Sequence, residues 1–184
     1  MKEKFSAGLW AFSACGDRFC PSGYRDAFSL EEKFKGATKI ESLQGVELSY
    51  PSDFKEVDEI KRLLKSYKFQ LAMLSVDVFS DRKWMFGSFT SGNEKLRREA
   101  LKIAKTASDM SKEIGNKQIS IWLGQDGYDY PFQTDYRKSW DLLVAGVKEC
   151  AAHNPDVKVF VEYKLKEPRT HIFVGAVCKA LLIA

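Results

Sequence analysis

Features that would place this chain among membrane, secreted or nucleic-acid-binding proteins are missing from it. No apolar run reaches the roughly 20 residues of a transmembrane helix, and the N-terminal segment MKEKFSAGLW has no apolar core of the kind a secretory signal carries. The expected setting is cytoplasmic, with no membrane partner. Lys and Arg number 29 against 25 Asp and Glu, for a net charge of +4, and they form no block. That balance implies no nucleic-acid partner. Only two histidines occur, and they form no cluster. His153 stands before Asn154-Pro155 at an expected helix end, and His171 falls in an expected fifth helix; both read as surface or packing residues. Of the four cysteines, Cys15 and Cys20 share a loop, but no second Cys or His pair completes a zinc site. Cys150 and Cys178 stand alone, and reduced thiols are expected throughout.

What is present is a globular balance: 45% hydrophobic and 29% charged residues in a chain of 184, long enough for one domain, 1–184, with a sizeable core. The apolar pattern switches repeatedly between two periods. Residues 5–12 (FSAGLWAF) read as a first strand, followed by a loop over 13–26 rich in Gly, Pro, Ser and Arg. Ser29 and Glu32 have capping-box spacing at the head of a first helix over 29–40. Residues 45–50 (GVELSY) alternate as a second strand. Pro51-Ser52-Asp53 then opens a second helix, with Asp53 and Glu56 as a further capping box and Val57, Ile60, Leu63, Leu64 and Tyr67 on its apolar face.

A third strand over 69–76 leads through a long loop to a third helix capped by Asn93. That helix turns Leu96, Ala100, Ile103, Ala104, Ala107, Met110 and Ile114 inward and stops at Gly115. A fourth strand over 118–124 precedes a helix from about Thr134 with Trp140, Leu143, Val144 and Val147 on its face, closed by Asn154-Pro155. A fifth strand covers 157–163, and a fifth helix is expected to run from near Arg169 to Ala184.

The loops after strands are long and carry the aromatics, whereas the returns from helix to strand are short. That is the pattern of a parallel βα repeat whose working face lies at the strand C-termini. About five units are visible, against the eight strands and roughly 250 residues of a closed barrel. The sequence ends in FVGAVCKALLIA, with no cap, polar tail or terminating Gly or Pro. The expected fold is therefore α/β, a partial (β/α)8 TIM barrel of about five parallel βα units, cut short at its C-terminus.

The most informative stretch is residues 159–169, VFVEYKLKEPR. It begins as an apolar, β-branched run, which reads as a buried strand, and ends in charge. Residues i and i+2 of a strand share a face, so Glu162 and Lys164 point the same way at the strand's C-terminal end. Opposite charges facing inward there are costly as structure but useful as chemistry. From spacing alone they read equally as a plain ion pair. Glu167 and Arg169 read as an ion pair at a helix start, Asp126 as the cap of a turn, and Trp10 and Trp122 as core.

Four segments together bear a resemblance. VEYKLKEPR resembles the Glu-Pro-Lys-Pro-x-Glu-Pro-Arg segment of xylose isomerases, with Glu162, Lys164, Glu167, Pro168 and Arg169 on its fixed positions. FGSFTSGNEKLRREA resembles the same family's loop and helix start after the third strand, with Phe89, Thr90, Ser91 and Arg97-Arg98 matching. WLGQDG resembles its Trp-Gly-Gly-Arg-Glu-Gly turn, with Gln125-Asp126 in place of Arg-Glu, and FSAGLW resembles its first strand, ending at Trp10. The group is the xylose isomerase-like TIM barrels, which include L-rhamnose isomerases and related sugar isomerases and epimerases.

The resemblance implies a divalent-metal-dependent sugar isomerase that interconverts aldose and ketose. It implies that Glu162 is a metal ligand and catalytic residue, and that Lys164 is catalytic, beside the substrate's carbonyl end. Trp10, Phe89 and Trp122 are implied as walls of the sugar pocket. The metal is Mn, Mg or Co, a hard cation that takes several oxygen ligands, and its remaining ligands come from strands six to eight, absent from this chain. Xylose isomerases carry a His at the end of the second strand; Ser49-Tyr50 stands there instead, which points to a relative acting on another sugar. With one ligand in hand, the chain by itself is expected to be inactive. Alternatives are a half-barrel that completes itself as a homo-oligomer or with a complementing C-terminal fragment, and a non-catalytic sugar-binding remnant.

Overall fold

The computed structural model describes residues 3–17 and 19–184. Its contacts cluster into two compact units, Met1–Leu74 and Ser75–Ala184. In the first, strand β1 (Phe5–Gly8) pairs in parallel with β2 (Leu43–Tyr50), placing Ala7 beside Val46 and Gly8 beside Glu47. The strand expected to reach residue 12 ends at Gly8: Leu9–Phe12 turn into a 3-10 helix that buries Leu9 and leaves Trp10 47% exposed.

Helix α1 (Leu30–Ala37) has the expected capping box. Ser29 Oγ accepts the Glu32 N–H at 3.3 Å, and the Glu32 carboxylate accepts the Ser29 N–H at 2.8 Å. Helix α2 (Val57–Tyr67) starts later than expected, because Asp53 is engaged elsewhere. Its carboxylate accepts the Ser49 N–H at 2.8 Å and pairs with Lys33 at 2.8 Å, leaving Glu56 as a cap without a side-chain bond. Val57, Ile60, Leu63 and Leu64 are buried as the periodicity requires, and Phe34, fully buried, lies against the rings of Tyr67 and Phe69.

Strand β3 (Gln70–Val76) contains the boundary between the units. The second unit continues with α3 (Glu94–Ile114), β4 (Gln118–Trp122), β5 (Gly127–Tyr128), α4 (Tyr136–His153), β6 (Lys158–Glu162), β7 (His171–Ile172) and α5 (Val177–Ile183). The main sheet has five strands in the order β1-β2-β3-β4-β6, and β5 and β7 form a separate antiparallel pair. Strand β4 runs parallel to β6, with Trp122 opposite Glu162 at their C-terminal ends.

Helix α3 is capped by Asn93, which accepts the Lys95 N–H at 3.0 Å, and stopped by Gly115 at φ 91°, a left-handed conformation that favours glycine. Its buried face is narrower than expected. Ala100, Ala104, Ala107, Ser108 and Ser111 are buried, while Leu96, Ile103, Met110 and Ile114 are half-buried. Ser111 Oγ donates to the Gln118 carbonyl at 2.9 Å and accepts the Gln118 N–H at 3.1 Å, which joins the end of the helix to the start of β4. Helix α4 buries Leu143 and Val147 as expected, along with Ser139, Gly146 and Cys150, and leaves Trp140 and Val144 half-buried. All four thiols are free, and burial pushes that of Cys150 up to about 12.

Two expectations fail near the C-terminal end. Strand β6 is not buried: last in the sheet order, it alternates between exposed and half-buried residues, with Phe160 44% exposed. Helix α5 starts at Val177 rather than near Arg169, because residues 164–174 fold back on themselves. The Lys164 N–H donates to the Val174 carbonyl at 3.1 Å and the Glu167 N–H to the Thr170 carbonyl at 2.9 Å, with His171 in β7 instead of a helix. No helix among the described residues is long and apolar enough to cross a membrane.

Truncating Phe34 to alanine is expected to destabilise the fold by about 3–5 kcal/mol, and Ser29→Ala by about 1 kcal/mol. Urea unfolding checks both; equal shifts in midpoint would contradict this account of the first unit's core.

Candidate functional site

In the second unit, the segments following β3, β4 and β6 meet around one buried carboxylate. Asp126 is fully buried. Its carboxylate accepts the Ser88 N–H at 3.1 Å, the Ser88 hydroxyl at 2.6 Å, the Thr90 N–H at 2.6 Å and the Thr90 hydroxyl at 2.8 Å. Its carbonyl accepts the Phe173 N–H at 2.9 Å. One residue thus ties the segment after β4 to the other two. Burial raises the Asp126 pKa above its ordinary 3.8, against the four hydrogen bonds that favour the anion.

Arg169 makes a second tie. Its guanidinium donates to the Asp129 carboxylate at 2.6 Å, the Met85 carbonyl at 2.9 Å and Gln125 Oε1 at 3.2 Å. The hairpin that carries Arg169 is braced by β7 against β5, where Tyr128 stacks on His171 with ring centroids 5.1 Å apart.

Trp122 lies within this frame. The ring of Phe79 meets it edge-on at 4.4 Å, and the Lys164 ammonium lies over it at 5.2 Å. Lys164 also pairs with Glu167. The indole Nε1 is buried with no hydrogen-bond partner. A Cβ built at Gly124 would stand 2.6 Å from the indole's Cζ2, so the close approach of backbone and ring depends on glycine there. Phe79, Trp122, Gly124, Gln125, Glu167 and Arg169 help to line a cavity of about 230 Å³. A second cavity, about 450 Å³, is lined in part by Arg97, Asp129, Asp135 and Lys138; Gln125 and Thr170 line both.

The structure therefore brings together two of the expected sugar-binding residues, Trp122 and Lys164. Glu162 is exposed at the end of β6, opposite Trp122 in register. Because the strand ends at Glu162, Lys164 lies beyond it, and its ammonium pairs with Glu167, not Glu162. Arg169, in turn, pairs with Asp129 and not with Glu167. Phe89 is 2% exposed, lines neither cavity and packs where a Cβ on Gly146 of α4 would overlap its ring. Trp10 belongs to the first unit.

The reading of Asp126 as a turn cap understates its role. Phe79, Gln125, Asp129 and Arg169 were also not legible as one group, since the bonds joining Arg169 to its partners span 40 to 84 residues of sequence. The closest local signal was the run of hydroxyls in GSFTS, which suits a carboxylate partner without specifying it.

Among the described residues no group of three or more His, Cys, Asp or Glu is placed to hold a metal ion. A hard divalent cation takes about six or more oxygen ligands. The carboxylate of Glu162 alone does not meet that demand, so these residues do not by themselves form a divalent-metal site.

Parallel βα units with a cavity among the loops at the strand C-termini define an α/β enzyme fold of the TIM-barrel type, present here as part of a barrel. The family model for the xylose isomerase-like TIM barrel matches residues 36–172, and the chain belongs to that family. It is 25% identical over 179 aligned positions to a protein of Mesorhizobium japonicum named as a probable sugar isomerase, covering 90% of this chain and 41% of that protein. It is 27% identical over 125 positions to the xylose isomerase of Thermus thermophilus, covering 66% of this chain and 32% of that enzyme. The chain thus spans about two fifths or less of the length of these curated relatives. Its fold matches all of this chain and 58% of a D-allulose 3-epimerase from Methylomonas sp., with a TM-score of 0.68 at 14% identity. An L-ribulose 3-epimerase gives 0.64 at 13% identity, over 99% of this chain and 56% of that one.

Two outcomes are expected at this site. Folding raises the Asp126 pKa, so its contribution to stability is fully present below pH 3.8 and is lost as pH rises through the higher folded value. Unfolding free energies of wild type and Asp126→Asn, compared across pH, should therefore shift in favour of the variant as pH rises above 3.8; a pH-independent difference would count against burial as the cause. Gly124→Ala should displace the Trp122 indole at a cost of about 1–3 kcal/mol, seen as a changed near-ultraviolet circular dichroism spectrum. An unaltered spectrum would count against the dependence of the ring's position on glycine at 124.

Proposed function

We propose that this chain is the N-terminal portion of a divalent-metal-dependent sugar isomerase or epimerase, acting on the aldose–ketose class of substrate in the cytoplasm. The observation that carries the reading is the grouping at Trp122: an indole flanked by the Phe79 edge and the Lys164 ammonium, opposite Glu162 at the ends of two parallel strands. An aromatic wall beside converging polar groups suits a sugar, whose C–H face packs on the ring while its hydroxyls are hydrogen-bonded. Lys164 is proposed as a catalytic and substrate-binding residue, its ammonium offsetting negative charge as it develops on a sugar oxygen. Trp122 is the proposed sugar wall, with Phe79 supporting it. Trp10 is proposed as a sugar-contacting aromatic on the first unit, whereas Phe89 acts from the core by holding its loop against α4.

Glu162 is proposed as a catalytic residue and to supply one oxygen to an ion of the Mn, Mg or Co type, with the other ligands from outside these residues. The chain by itself then binds sugar weakly and does not turn it over. A second reading is favoured by the exposed apolar residues along and beyond β6: Phe160 is 44%, Tyr163 51% and Leu165 74% exposed. In that reading the β6 edge pairs with a second copy or with a complementing chain that carries further strands.

The test is calorimetric titration of the purified chain with aldoses and ketoses, together with a turnover assay in added manganese. Weak binding without turnover is expected, and binding should fall about tenfold or more in Trp122→Ala and Lys164→Ala. Robust turnover by the chain alone, or binding indifferent to both substitutions, would overturn the reading.

A further inference from the structure

Gln125 and Thr170 line both cavities described above, and the Gln125 amide oxygen is engaged by Arg169 at 3.2 Å. Arg169 donates to Oε1, so the amide offers a ligand its N–H₂ group. The three groups that Arg169 reaches, Gln125 Oε1, the Asp129 carboxylate and the Met85 carbonyl, are all acceptors, shared between its two terminal nitrogens. A planar, multidentate guanidinium can serve all three at once; the point charge of a lysine cannot.

The smaller cavity is also lined by Trp122, whose indole Nε1 is buried without a partner. Glu167, the carboxylate on that lining, is taken up by Lys164. At about 230 Å³ the cavity lies below the roughly 300–1,000 Å³ of drug-sized sites, which suits a single sugar unit.

We propose that Arg169 is a specificity-determining positioning residue of the sugar site. By holding the Gln125 oxygen it turns the amide N–H₂ into a fixed donor, and the cavity selects a monosaccharide that presents an acceptor oxygen at that point. The proposal rests on the sugar-binding reading above and adds the group that chooses among sugars.

The test is a fluorescence titration of the whole chain with D-xylose, D-fructose and D-allulose and with the monodeoxy analogues of each. In the wild type, one deoxy analogue of the preferred sugar should bind about tenfold more weakly than its parent, the size of one lost hydrogen bond. In Gln125→Ala that ratio should fall to near one. In Arg169→Lys it should also fall, through weaker binding of the parent sugar, while the affinity for the deoxy analogue stays at its wild-type value. A purely structural defect would instead weaken parent and analogue alike. Gln125→Ala leaves the bonds from Arg169 to Asp129 and Met85 in place, so it gives an answer even if Arg169→Lys fails to fold. An undiminished ratio in Gln125→Ala, or equal weakening of all sugars in Arg169→Lys, overturns the proposal while leaving the sugar reading intact. If the wild type binds none of these sugars, the sugar reading falls and this proposal falls with it.

Discussion

A carboxylate removed from water has to be surrounded by donors, and at Asp126 that requirement shapes the second unit. Neither Ser88 nor Thr90 can shift without leaving either the carboxylate or a backbone N–H unpaired in the interior. An unpaired buried group costs more than a made hydrogen bond gains, so the two loops are held in a single arrangement. The backbone of the same residue extends that constraint to Phe173. Loops at the end of a parallel sheet are ordinarily its most mobile parts; here a buried carboxyl group joins them.

Arg169 works at the surface of the same arrangement. It is half exposed, with an ion pair to Asp129 that would count for little in isolation. Its value lies in geometry, because one planar group joins the loop after β3 and the loop after β4 to the hairpin after β6. The hairpin's backbone bonds then set Lys164 over Trp122, and Glu167 holds the ammonium there. Beneath this, the small-residue face of α3 and the Ser111 bridge to Gln118 fix the helix close to the start of β4. Packing at one end of the strand and hydrogen bonding at the other give Trp122 its place.

Much of the scaffold was legible because its causes are local. The Ser29–Glu32 capping box, the Asn93 cap, the Gly115 stop and the face of Val57, Ile60, Leu63 and Leu64 each depend on residues within a few positions of one another. The order of the main-sheet strands and the helices followed from the same periodicities, whereas the short β5–β7 pair did not. The misreadings share one origin. Asp53 had capping spacing but was drawn to Ser49 and Lys33; residues 169–176 were expected in a helix but fold back through bonds to 164–167 and 126. The apolar run of β6 suggested burial, which its position at the end of the sheet order denies it.

The sequence by itself determined the βα rhythm, the positions of most caps and stops, and the residue types gathered near Trp122 and Lys164. It did so because helix and strand periodicity, capping and turn chemistry act over one or two turns of chain. Tertiary structure alone decided which charges meet. Asp126 finds Ser88 and Thr90 across 38 and 36 residues, and Arg169 finds Asp129 across 40. Such pairings depend on which loops the sheet brings side by side, and no spacing within either segment records that proximity.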